Sequence, residues 1–162
     1  MMTTTLDEDV ALGTFVGTHF AYYHRQWRAA AQHSGMSWNW AAFLFGPFWL
    51  AYRRMYWQVG VFAVAISALP VAEALLDRHV PHLVSLPMLY AIAVVLGMYG
   101  NQFYKWHADA TIRRLRDYHW SADTVTDSLA RCGGTSWTGV AGMTALLFMV
   151  VVSLRPLARL AV

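Results

Sequence analysis

Trp38 to Trp57 reads WNWAAFLFGPFWLAYRRMYW, an almost wholly apolar and aromatic stretch that Gly46-Pro47 breaks near the middle and Arg53-Arg54 close. The arms on either side of the break are too short to be two spans, since a crossing helix needs about 20 residues. A single kinked helix over 36–52 just reaches across, so topology has to decide between crossing and returning. Three later apolar runs, 57–76, 83–104 and 137–154, read as spans, the last being the shortest. If the aromatic stretch returns, Arg25, Arg28, Arg53, Arg54, Lys105, Arg113, Arg114, Arg116 and Arg131 share one side, leaving Arg78, Arg155 and Arg159 on the other. If it crosses, Arg25 and Arg28 change sides and the asymmetry almost disappears. Basic residues gather on the cytoplasmic side, which favours a re-entrant or interfacial hairpin over 38–54. Irregular backbone at Gly46-Pro47 then requires protein or headgroup cover, because lipid cannot satisfy it. Arg155 and Arg159 sit against the charge rule, and the run 137–154 has a second reading as an interfacial segment or a second hairpin.

Composition points the same way. The 162 residues are 57% hydrophobic, 15% aromatic and 13% charged, where a soluble domain carries about 25% charged residues. The expected architecture is an all-α membrane protein: a disordered polar tail over 1–9, then a single helical domain over 10–162. The acidic run Asp7-Glu8-Asp9, with no apolar core after it, argues against a secretory signal. A single cysteine, Cys132, excludes an internal disulfide. The net charge of +3 lies beside apolar runs, which suits anionic headgroups and not nucleic acid.

Outward from the aromatic stretch, Val10 to about His33 predicts one helix ended by Ser34-Gly35. Phe15, His19, Tyr22, Tyr23, Gln26, Trp27 and Ala30 recur at three- and four-residue spacings on a broad aromatic face. Such a face fits an amphipathic helix at headgroup depth or a helix packed on the cytoplasmic part of the protein. In the span 83–104, Ala93, Gly97 and Gly100 allow close helix approach. The helix runs on as a charged extension to about Tyr118, with Lys105–Asp109, Asp109–Arg113 and Arg113–Asp117 each four apart. Trp120–Arg131 predicts a short helix with Ser121 as its cap, and Gly133-Gly134-Thr135-Ser136 a helix stop followed by a new N-cap.

Chemistry-bearing patterns are sparse. No phosphate loop, nucleophile elbow, His-Glu-x-x-His or Cys-x-x-Cys occurs. Asn39, Arg53, Arg54, Asn101, Gln102 and Lys105 fall at one predicted membrane face. They read chiefly as a structural rim with Gly46 and Pro47, and secondarily as a headgroup-handling site. Glu73, His79 and His82 flank the outer loop. Pro81 keeps the two histidines off one helical face, so a metal or haem site is not expected there. Glu73, at the end of its span, reads as reaching outer headgroups. His107 and His119 lie on the charged side, where a histidine can move protons but is more often simply solvated. No cofactor is expected.

Phe15-Val16-Gly17 with Tyr22-Tyr23 and Trp27, SWNWAAFLFGPFWLAYRRMYW from Ser37, GNQFYKWHADATIRRL from Gly100 and GGTSW from Gly133 together resemble a bacterial membrane family catalogued as domain of unknown function 2628. The resemblance runs from about Phe15 to Trp137, and the aromatic stretch is its most specific part. It implies a small inner-membrane protein without an established activity and brings no catalytic residues. Asn39, Gly46, Pro47, Tyr52, Arg53, Tyr56 and Asn101 match the pattern as structural positions.

The functional expectation is a multi-pass inner-membrane protein with a cytoplasmic N-terminus. It would act by association with lipids and with a membrane-protein partner or further copies of itself, as an accessory or scaffold subunit. Alternatives are a lipid-handling enzyme or carrier using the basic rim and His107, and a metal or redox protein using Glu73, His79 and His82.

Overall fold

A computed structural model describes residues 2–32, 36–76, 85–118 and 122–160, and among these every regular element is helical. In order they are α1 (Met2–Val16), a 3-10 turn (Gly17–His19), α2 (Phe20–Gln32), α3 (Trp40–Tyr52), α4 (Tyr56–Leu76), α5 (Ser85–Asp117), α6 (Ala122–Cys132) and α7 (Trp137–Leu160). The chain sorts into two compact units, one of residues 1–40 and 97–135, the other of residues 41–96 and 136–162. Helix α5 contributes to both.

The first unit holds α1, α2, α6 and the charged half of α5. Tyr104, Ala108, Ile112 and Leu115 are buried at helical spacing and form one stripe along α5. Tyr23, Trp27 and Ala30 form the matching stripe on α2. Tyr104 is the hub: its ring centroid lies 4.8 Å from Tyr23, 6.2 Å from Trp27 and 6.2 Å from Phe15 of α1. Such tilted aromatic contacts each add about 0.5–1.5 kcal/mol beyond burial. Helix α6 packs on α1, burying Leu129. The buried face of α2 is narrower than the sequence predicts, because His19 and Tyr22 are exposed. Its aromatic residues serve packing on α5, which favours the packed helix over the headgroup helix.

Two corrections concern the N-terminal segment. Helix begins at Met2, where the sequence predicts a polar tail through Asp9. The single helix expected over Val10–His33 is broken at Gly17, whose φ of +71° lies in the left-handed region that glycine occupies without penalty. The break leaves the Phe15 carbonyl without its helical partner. The Gly134 N–H fills that vacancy at 2.7 Å, itself at φ +73° past the end of α6. Gly133 passes so close to the Phe15 carbonyl that a Cβ there would overlap it.

The second unit holds α3, α4, the apolar half of α5 and α7. Helix α3 is two short arms joined at Gly46, where φ 34° and ψ −103° are not helical. Pro47 enforces the break, since a proline disfavours helical conformation in the residue before it. The break expected at Gly46-Pro47 is therefore present. Helix α3 ends in a Schellman turn: Met55 N–H donates to the Leu50 carbonyl at 2.9 Å and Arg54 N–H to the Ala51 carbonyl at 3.1 Å. The Ser136 N–H donates to the Tyr52 carbonyl at 2.8 Å, and the Ser136 hydroxyl accepts from Gly139 N–H at 3.0 Å, capping α7 as the sequence predicts. Gly139 lets α7 approach α3: a Cβ there would lie 2.5 Å from the Ala51 carbonyl oxygen. Helix α7 continues past Arg155-Pro156 to Leu160 instead of stopping there. Proline's fixed φ is compatible with helix, so continuation sacrifices one hydrogen bond.

One described helix, Leu86–Asp117, is long and apolar enough to cross a membrane, and only 22% of its apolar window is buried. Trp40–Tyr52, Tyr56–Ala68 and Trp137–Met149 are shorter apolar helices.

Candidate functional site

The residues expected at the rim fall in both compact units, and each group has its own chemistry. In the first unit, residues 37–39 lie in extended form against α5. Asn39 N–H donates to the Gly97 carbonyl at 2.7 Å and Ser37 N–H to the Met98 carbonyl at 3.3 Å. One backbone can come this close to another on a helix only where side chains are small, and Gly97 and Gly100 are both buried there. Carbonyl oxygens carry two lone pairs, so these bonds add to the helical ladder instead of replacing it.

Asn101 closes the network. Its Oδ1 accepts from Asn39 Nδ2 at 2.8 Å, and its Nδ2 donates to Ser37 Oγ at 2.9 Å and to the Ser37 carbonyl at 3.3 Å. Its backbone carbonyl accepts from Trp27 Nε1 at 2.8 Å. Asn101, Asn39 and Ser37 are all buried. Both amide hydrogens of Asn101 are engaged, and no part of its side chain reaches solvent. The arrangement ties α2, the 37–39 segment and α5 together. Asn39 and Asn101 were expected at one membrane face, not in contact. Ser37 and Trp27 were not expected there, because partners 64 and 74 residues away carry no local signal.

Lower on α5, Lys105 pairs with Asp109 at 2.8 Å, the first rung of the predicted charge ladder. His107 is partly buried, with its ring 5.9 Å from Phe15. It lies in the charged extension, beyond the apolar half of α5. Burial, then the nearby Arg114, hold its pKa below the ordinary histidine value.

In the second unit, Arg53 and Arg54 form the turn between α3 and α4. Arg53 is buried, its guanidinium 5.7 Å from the Tyr52 ring centroid. Arg54 is half-buried and has φ +59°. It occupies the left-handed position of the Schellman turn, which is usually glycine. A side-chain-bearing residue there costs about 1 kcal/mol. Gly46 is buried and Pro47 half-buried, at the break in α3.

The Glu73 side chain, His79, His82, His119 and Ser121 lie outside the described residues. Among the described residues no three His, Cys, Asp or Glu side chains group as metal ligands.

A family model described as protein of unknown function (DUF2628) matches residues 25–109, just over half of the chain and including the aromatic stretch and Asn101. No curated protein matches the chain. No solved structure matches it.

Proposed function

The chain belongs to the DUF2628 family of unknown function, and from that premise we propose that it is a small integral membrane protein working by association, as an accessory or scaffold subunit of a larger membrane assembly. The observation that carries this is the outward apolar surface of the second unit. Trp57 is 80% exposed and Phe148 69%, with Leu44, Phe45, Val64, Leu86 and Met149 also exposed. Large exposed apolar surface marks contact with lipid or with a partner protein.

In this reading α4, the apolar half of α5 up to about Tyr104, and α7 cross the membrane. Helix α4 has 21 residues and α7 has 24, against the ~20 a span requires. Helix α3, with 13 residues, is at most about 20 Å long and falls short of the ~30 Å hydrocarbon core. It enters and returns, with the buried Gly46 given protein cover. Arg113, Arg114, Arg116 and Arg131 lie on the cytoplasmic side of a bacterial inner membrane.

The lipid-handling enzyme reading needs an opening to headgroups beside Arg53 and Asn101, and the burial of both side chains disfavours it. The test is purification of the tagged full chain in a gentle detergent, with mass spectrometry of what accompanies it. A stoichiometric set of other membrane proteins is expected. Recovery of the chain alone overturns the assembly role, and recovery in the aqueous fraction without detergent overturns the membrane placement.

A further inference from the structure

Helices α4 and α7 each carry a tryptophan in the first turn that the fold leaves bare. Trp57 is 80% exposed and Trp137 75%, and Tyr56 beside them is exposed as well. Tryptophan is ordinarily well covered in a folded protein. Trp27 of the first unit shows the usual arrangement: its ring is buried and its Nε1 donates to the Asn101 carbonyl. Among the described residues no acceptor meets the indole N–H of Trp57 or of Trp137. Each of these rings offers an apolar body and one donor to its surroundings.

The rings stand at one end of the second unit. The bond from Ser136 N–H to the Tyr52 carbonyl fastens the end of α3 to the start of α7. The Tyr52 ring meets the Trp137 ring edge to face, with centroids 5.3 Å apart. Tyr56, the first residue of α4, brings its ring so close to α7 that a Cβ on Gly139 would lie 3.3 Å from it. Helices α4 and α7 therefore start together where α3 ends, and Tyr52, Tyr56, Trp57 and Trp137 form a collar at one level.

The apolar run beyond the collar has a telling length. After Trp137 the next charged residue in the sequence is Arg155, and α7 is helical throughout that interval. The interval is about 27 Å at 1.5 Å per residue, close to the ~30 Å hydrocarbon core of a bilayer. Phe148, Met149 and Val152 are exposed within it. A partner protein imposes no fixed distance between an aromatic end and a charged one, whereas a bilayer does.

We propose that this collar is an interfacial anchor whose partner is the headgroup–acyl boundary of one leaflet, and that it fixes the depth of the second unit in the bilayer. Indole and phenol rings sit at that level because the apolar body is sheltered there while the N–H or O–H still reaches esters and water. The proposal rests on the membrane placement of the second unit.

The full chain is reconstituted into phosphatidylcholine vesicles and floated on a density gradient. Tryptophan emission is compared in unbrominated lipid, lipid brominated near the ester end of its acyl chain and lipid brominated near the methyl end. Subtracting the emission of Trp57→Phe, and separately of Trp137→Phe, from that of the native chain isolates each indole, and phenylalanine keeps an apolar ring at both positions. Each difference signal is expected to lose most of its intensity to ester-end bromines, less to methyl-end bromines and little to aqueous iodide. Stronger quenching by methyl-end bromines puts the rings in the bilayer interior, quenching by iodide alone puts them in water, and quenching by none of these shows that protein covers them. Each of these results overturns the collar while the floated chain keeps its membrane placement. A chain that fails to float overturns the membrane placement itself.

Discussion

Single residues here are constrained by how completely their polar groups are used. Asn101→Ala removes three side-chain bonds from Asn39 and Ser37 in a buried site. Buried polar groups that lose a bond cost about 1–3 kcal/mol each, so a loss of about 2–3 kcal/mol is expected in a denaturation midpoint. Arg54→Gly moves the other way, gaining about 1 kcal/mol from relief of the left-handed backbone, and the same measurement checks it. His107 gives a pH signature. Its folded pKa lies below its unfolded one, so the unfolded chain takes up the proton first and stability falls as pH drops below about 6.5. Melts between pH 7.5 and 5.5 should show that drop, and His107→Gln should reduce it.

At the scale of elements, Gly133 and Gly139 each admit a close backbone approach, as Gly97 and Gly100 do beside residues 37–39. Gly133→Ala drives a methyl into the Phe15 carbonyl, and Gly139→Ala drives one into the Ala51 carbonyl. Each is expected to destabilise by roughly 1–3 kcal/mol, while Gly60→Ala, in open space, gains up to about 1 kcal/mol of helix propensity. Comparative thermal melts of the three variants separate the cases. Element types were legible because the stripes on α2 and α5 repeat at helical spacing, and because Gly46-Pro47 is a break that local chemistry dictates. The break at Gly17 was not legible. Apolar spacing continues on both sides of it, and the free Phe15 carbonyl is answered by Gly134 from far along the chain. The Asn39–Asn101 pair could be placed at one level from the sequence, but its purpose as a lock needed Ser37 and Trp27. Of the rim residues, the asparagines belong to the first compact unit and the arginines to the second.

For the whole molecule, the proposed sidedness has a native reporter. Cys132 is free, exposed and part of the first unit. A membrane-impermeant maleimide should label it only after the inner membrane is opened, and labelling of intact spheroplasts would reverse the orientation. Neither unit is a contiguous piece of chain. The connections at 40–41, 96–97 and 135–136 each pass from one unit to the other, so no truncation liberates either one whole. This sets a schedule for biosynthesis. Phe15, Tyr23 and Trp27 leave the ribosome long before Tyr104, and the Phe15 carbonyl waits for Gly134. Such widely separated contacts slow closure. The earliest helices to emerge are among the last to find their partners, and in the interval their bare aromatic faces are the nascent chain's point of exposure to chaperones and to aggregation.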